Sequence, residues 1–94
     1  MHLGIYEFDG DPEELLPAYD RLMETIPSGN TTWHLCAARP DGIMILDTCP
    51  SEAVFQSFSA SPAFLEAIAA AGLPAPTITG LPVHAARATQ SGVA

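Results

Sequence analysis

The chain predicts an α+β fold of order β-α-β-β-α-β, a four-stranded antiparallel sheet with its helices on one face. Three observations predict it. Short segments of period-two alternation stand near both ends and in the middle of the chain. Helical spacing of apolar residues fills the two stretches between them. A tight-turn signature, "RPDG", joins the two middle strands into a hairpin. This order is the split βαβ, ferredoxin-like arrangement.

The first strand, His2 to Phe8, sets Leu3 and Ile5 on one side and Gly4, Tyr6 and Phe8 on the other. "FDGDPEE" breaks it and opens a helix. Asp11 is a good N-cap, Pro12 suits the first helical position and Glu14 completes a capping box. Leu15, Leu16, Tyr19, Leu22, Met23 and Ile26 follow at helical spacing. Pro17, one turn in, predicts a kink or a loosened first turn. "PSGN" ends the helix, and Thr31 to Arg39 is the second strand. Pro40 takes the second turn position and Gly42 a left-handed one, leading into the third strand "IMILDTC". Ser51 caps a short helix, Glu52 to Phe58, which "SASP" interrupts. Ser61 and Pro62 start another run through Phe64, Leu65 and Ile68, ended by Gly72 and Pro74. "TITGLPVHAARA" is the last strand, and Pro82 makes it an edge strand or places a bulge. Residues 1–88 then form a single domain, with 89–94, "TQSGVA", as a flexible tail.

Ninety-four residues are enough for one domain. A chain this short buries only about 60–65% of its unfolded surface, so a second subunit would add stability. Charge is scarce and lopsided: eleven acidic residues, three arginines and no lysine, for a net charge of −8. That balance argues against nucleic acid or an anionic membrane as partner. No apolar run reaches the roughly 18 residues of a membrane span, and the start "MHLGIYEFDGDPEE" lacks the positive region of a signal peptide. An acidic cytoplasmic protein is the expectation. Cys36 and Cys49 are expected as free thiols, since one disulfide fits poorly here. No CxxC, HExxH or Cys/His cluster suggests a metal site.

Both sides of the strands are apolar: Tyr6 and Phe8 against Leu3 and Ile5, Met44 and Leu46 against Ile43 and Ile45. Helices cover one face only. The other needs a cover, and a second copy related by a two-fold axis is the simplest one. A homodimer joined through its sheet faces follows.

The element order, the stretch "WHLCAARPDGIMILDTCPSEAVFQSF" and the closing "AGLPAPTITGLPVH" resemble the antibiotic biosynthesis monooxygenase-like dimeric α/β-barrel proteins. The resemblance runs from Thr31 to His84. It rests on His34, Asp41–Gly42, Asp47, Ser51–Glu52, Phe55, Phe58, Pro82, Val83 and His84. It implies a head-to-head dimer with a pocket in each subunit between sheet and helices. That superfamily holds oxygenases, isomerases, haem-using enzymes and members of unknown function, so haem held by a histidine is one reading the resemblance admits.

The strand "TTWHLCAARPDG" carries the one tryptophan and one each of the three histidines and two cysteines. His34 and Cys36 share a face, and Trp33 and Leu35 the other. Small neighbours, Thr32 and Cys36, leave space beside the imidazole, which suits a pocket with a proton-handling group. The bland alternative is a half-buried His satisfied by Thr or a backbone carbonyl. A type I turn with a bulge at Gly42 sets His34 near Thr48, with Asp47 on the Trp33 side; a one-residue slip reverses this. The hairpin also sets Trp33 opposite Cys49. The candidate catalytic set is His34, with Tyr19 or Asp47 assisting. Tyr19 also reads as packing with its hydroxyl at a rim, and Asp47 as a loop cap. Candidate ligand-binding residues are Trp33, His84, Tyr6, Met23, Phe55 and Phe58. Trp33 reads more readily as a core or interface anchor, His84 equally as facing the pocket or the dimer seam, and Cys36 as a small buried hydrophobe without a base to activate it. The functional expectation is cofactor-independent oxygenation, cyclisation or isomerisation of a small apolar, aromatic or polyketide-like substrate. The alternative is a non-catalytic small-molecule-binding or accessory protein.

Overall fold

The computed structural model describes residues 1–26 and 32–87. Its elements are β1 (His2–Asp9), α1 (Pro12–Thr25), β2 (His34–Arg39), β3 (Gly42–Cys49), α2 (Glu52–Ser59), α3 (Pro62–Ala71) and β4 (Thr77–Pro82). The strands form one antiparallel sheet in the order β2-β3-β1-β4. The α+β fold with helices on one face is the one expected, its second helix in two pieces where "SASP" interrupts. The helix end at "PSGN", Thr31 at the start of the second strand and the tail 89–94 lie outside the described residues.

Local chemistry sets the boundaries. Asp11 caps α1 by accepting from the Glu13 N–H at 2.9 Å. Among the described residues Glu14 returns no side-chain bond, so the expected capping box is a simple N-cap; Glu14 binds Asp11 through its backbone N–H. The helix continues unbroken past Pro17 to Thr25. The carbonyl that Pro17 leaves without its helical donor belongs to Glu13, an exposed first-turn residue that water can reach. Ser51 caps α2 through Val54 N–H. Gly72 ends α3 at φ +94°, a left-handed conformation few other residues tolerate.

The turn between β2 and β3 differs from the expectation. Arg39 pairs with Gly42, leaving only Pro40 and Asp41 as the loop. Both keep negative φ, and Gly42 is not left-handed either. It must be glycine for another reason: a Cβ there would lie 2.1 Å from the Phe8 carbonyl oxygen. With no bulge, the register moves by one residue. His34 stands opposite Asp47, not Thr48, and Asp47 shares its face. Trp33 meets Thr48, not Cys49, through bonds of 3.0 Å in both directions. Cys36 lies opposite Ile45, four residues from Cys49, or about 13 Å along the strand. That is too far for a disulfide, and both thiols are free. The last strand is shorter than expected, ending at Pro82 on the sheet edge, which leaves His84 beyond it.

Alternation divides the sheet. Toward the helices point Tyr6, Phe8, Ile43 and Ile45, which with Leu15, Ala18, Leu22, Phe64 and Ile68 make the core. The other face presents Trp33, Leu35 and Leu81, all exposed, Leu35 by 63%. Among the described residues no helix is long and apolar enough to cross a membrane.

Candidate active site

One row of residues crosses the helix-facing side of the sheet. His34 of β2 pairs with Asp47 of β3, Asp47 with Gly4 of β1, and Gly4 with Gly80 of β4. The neighbouring row, Cys36, Ile45, Tyr6 and Ile78, belongs to the packed interior. The core therefore gives way, over two residues of each strand, to a row with two polar side chains and two missing ones.

Helix α1 lays Tyr19 over the β2 end of this row. The Tyr19 hydroxyl stands 2.5 Å from His34 Nε2, and His34 Nδ1 stands 2.6 Å from Asp47 Oδ1. The two rings lie nearly parallel, 18° apart, with centroids 5.9 Å apart. A carboxylate only accepts, so Nδ1 carries the hydrogen and donates it to Asp47. Nε2 is then the acceptor, and Tyr19 O–H donates to it. The three groups form a directed chain from phenol to imidazole to carboxylate. It is half-open to solvent, with the His34 and Asp47 side chains 31% and 20% exposed.

Burial first, then Cys36, Asp47 and Asp20, pushes the Tyr19 phenol above its ordinary range. Tyr19 is thus a neutral donor at physiological pH. Burial, then Asp20, pushes the Cys36 thiol up as well, which keeps it protonated and a poor nucleophile.

At the other end of the row, Phe55 of α2 lies against both glycines. A Cβ on Gly80 would come within 2.4 Å of the Phe55 ring, and one on Gly4 within 2.9 Å. Phe55 also packs on His2, with ring centroids 5.0 Å apart. Met23, one turn beyond Tyr19, is half-buried against the core. Phe58 is 37% exposed and packs on Phe64 at 4.3 Å, away from the row.

Of the residues expected from sequence, the structure brings His34, Tyr19 and Asp47 together, with Tyr6 and Phe55 beside them. Trp33 lies on the opposite face of the sheet, and His84 is exposed past the end of β4. Gly4, Gly80 and His2 were not singled out as functional residues. An isolated glycine inside a strand pattern signals close approach, and two of them facing one aromatic ring are the signal that was available. Among the described residues no cluster of three His, Cys, Asp or Glu could hold a metal ion.

No family model matches the sequence, and no curated protein does. Solved structures do. A protein provisionally assigned as an antibiotic biosynthesis monooxygenase, from Deinococcus radiodurans, superposes with a TM-score of 0.66 over 93% of this chain and 96% of its own, at 15% identity. A protein of unknown function from Nitrosomonas europaea gives 0.66 over 92% and 91%, at 20% identity. A variant of SnoaB, a cofactor-independent oxygenase from Streptomyces nogalater, gives 0.61 over 90% and 92%, at 13% identity. Identities this low establish the fold alone. Strand order, helix placement and these superpositions agree with the resemblance read between Thr31 and His84: the chain has the antibiotic biosynthesis monooxygenase-like fold.

Proposed function

We propose that this chain is a cofactor-independent small-molecule enzyme that removes a proton from a small apolar acid, aromatic or polyketide-like. One observation carries the reading: phenol, imidazole and carboxylate stand in line at 2.5 and 2.6 Å. The substrate O–H or C–H gives its proton to the Tyr19 oxygen as Tyr19 passes its own to His34 Nε2. This leaves a substrate anion, a neutral Tyr19 and an imidazolium against the Asp47 carboxylate. Such an ion pair is stronger in a half-shielded cleft than in water. Return of the proton to a different atom is isomerisation. Attack of the carbanion on a carbonyl of the same molecule is cyclisation. Addition to dioxygen gives a peroxide anion that Tyr19 protonates to a hydroperoxide as His34 returns its proton to Tyr19, which is oxygenation, and the oxygenase named among the fold relatives favours this branch.

The bare sheet face, with Trp33, Leu35 and Leu81 exposed, supports a homodimer joined through it. Two free thiols fit a reducing, cytoplasmic compartment. The test is His34→Gln. We expect it to stay folded, with its melting temperature lowered by no more than several degrees, while its affinity for 2-naphthol falls by about 1–3 kcal/mol. A variant that melts far earlier with unchanged naphthol affinity would make His34 structural.

A further inference from the structure

We propose that helix α2 is a lid and its Phe55 ring a plug: at rest the ring fills the half of the row next to the relay, and α2 lifts it out before a substrate enters. The inference rests on the proposed function and adds the step that controls access to its site.

The seat of the ring is built for close approach. Gly4 and Gly80 stand side by side on neighbouring strands, and a Cβ on either would run into Phe55. Glycine weakens a strand interior, so two of them here mark a need for bare backbone. Gly4 also stands directly opposite Asp47. An occupant that extends along the row from the relay therefore has to displace Phe55.

The helix that carries the ring is lightly held. Helices α1 and α3 each bury three residues, and α2 buries none. Among the described residues Phe55 is the one member of α2 packed against the core. The hydrogen bonds of its side chains and cap stay local, from Val54 to Ser51 and from Gln56 to Glu52. At the far end Phe58 rests on Phe64 of α3, with ring centroids 4.3 Å apart. Ser61, between the two helices, is extended at ψ 129°, so α2 does not continue into α3 as one rod. That junction serves as the pivot, while buried Phe64, Ile68 and Ala71 keep α3 on the core. Elements with few buried contacts are the ones that open at low cost.

The plug covers polar groups. His2, 7% exposed, packs on the ring at 5.0 Å between centroids, and Tyr6, 3% exposed, at 6.4 Å. Neither side chain makes a hydrogen bond among the described residues, although covered polar groups ordinarily do. Their polar atoms are covered rather than sealed, since among the described side chains only Arg39 Nε is both enclosed and unpartnered. The closed lid thus leaves an imidazole and a phenol without protein partners, which weakens the closed state. Lifting Phe55 gives both groups to water or to a ligand.

The experiment combines native-state hydrogen exchange of the wild type, with and without 2-naphthol, and fluorescence titration of the wild type, Phe55→Ala and His34→Gln with 2-naphthol. In the free protein the amides from Phe55 to Ala60 should exchange at least about tenfold faster than those buried in α1 and α3. With 2-naphthol bound, α1 and the strands should gain protection while α2 loses it, because the ring has lost its seat. An open state populated at ~0.1–10% lowers apparent affinity by that fraction, so Phe55→Ala should bind 2-naphthol about tenfold or more tightly than the wild type. If α2 exchanges together with α3, or gains protection with 2-naphthol, or if Phe55→Ala binds it more weakly, the lid is overturned and Phe55 is a fixed wall. Should Phe55→Ala fail to fold, the exchange of the wild type decides alone. A tighter Phe55→Ala beside an unchanged His34→Gln overturns the relay and leaves the lid; a weaker His34→Gln without the gain on Phe55→Ala overturns the lid alone. If neither the wild type nor Phe55→Ala binds 2-naphthol, both fall.

Discussion

Asp47→Asn keeps the shape of the side chain and removes its charge. Asp47 accepts from His34 Nδ1 at 2.6 Å, and the two side chains retain 20% and 31% of their exposure. An ion pair at about 4 Å between charge centres is worth ~1 kcal/mol in water and ~4 kcal/mol near a protein surface. Partial solvent access places this pair between those limits. Asp47→Asn should therefore weaken the cleft's hold on an imidazolium by roughly 1–4 kcal/mol, about five- to a thousandfold. Folding should suffer less. The resting bond has a neutral donor, and exchanging a charged acceptor for a neutral one costs about 1 kcal/mol. The assay is paired: urea unfolding, and affinity for 4-nitrophenol at about pH 7, near its own titration point and above the ordinary imidazole value, where binding the neutral probe as its anion requires the relay to take a proton. A large fall in nitrophenol affinity with a small change in stability is expected. A stability loss above about 3 kcal/mol with nitrophenol affinity unchanged would refute the reasoning and make Asp47 a brace for the hairpin.

The raised phenols and thiol predict an alkaline limit. Their ordinary values are 10.0 for Tyr6 and Tyr19 and 9.0 for Cys36, and all three are raised in the folded chain. The unfolded chain gives up these protons first, so these three groups leave stability unchanged well below about pH 9 and lower it above. Urea unfolding against pH should show this, with a shallower fall in Tyr6→Phe; a stability that rises above pH 10 contradicts it. Gly80→Ala should cost about 1–3 kcal/mol by overpacking against Phe55, and most of that loss should vanish in a Phe55→Ala background; an equal cost in both backgrounds would show that Phe55 is not the obstacle. Leu35→Asp should give a monomer by light scattering, because it charges the most exposed apolar position of the bare sheet face; an unchanged dimer would move the contact elsewhere.

Much of this architecture was legible because local signals agreed with the global fold. Asp11 and Ser51 cap their helices through the side chain, Ser61 stands one residue before a third helix without a side-chain cap bond, and Gly72 closes that helix in a left-handed conformation. Pro82 falls on an edge strand because only there does a missing N–H go unnoticed. The relay was legible only in part. Its three members were candidates from residue type and position, but their contact depends on register. Register turned on whether Gly42 adds a bulge, and the answer came from a long-range contact: Phe8 of another strand approaches Gly42 too closely for a side chain. No local pattern encodes that. Tyr19 was ambiguous for a similar reason. Its place on the apolar face of α1 fixed its burial but not which strand residue its hydroxyl would meet. Gly4 and Gly80, each isolated in a strand, signal a close approach, but that Phe55 is what approaches both is visible only once the sheet sets them side by side.

The most direct test of the relay is the absorption spectrum of 4-nitrophenol bound to the wild type at about pH 7, above the ordinary imidazole value, where about half of the free phenol is neutral. The account predicts that the nitrophenolate band grows on binding, because the proton has passed through Tyr19 to His34, and that His34→Gln binds without that growth. A bound probe that stays neutral on the wild type, or a nitrophenolate band of equal strength on His34→Gln, would contradict the relay; the first result would leave the chain a binding protein without proton chemistry.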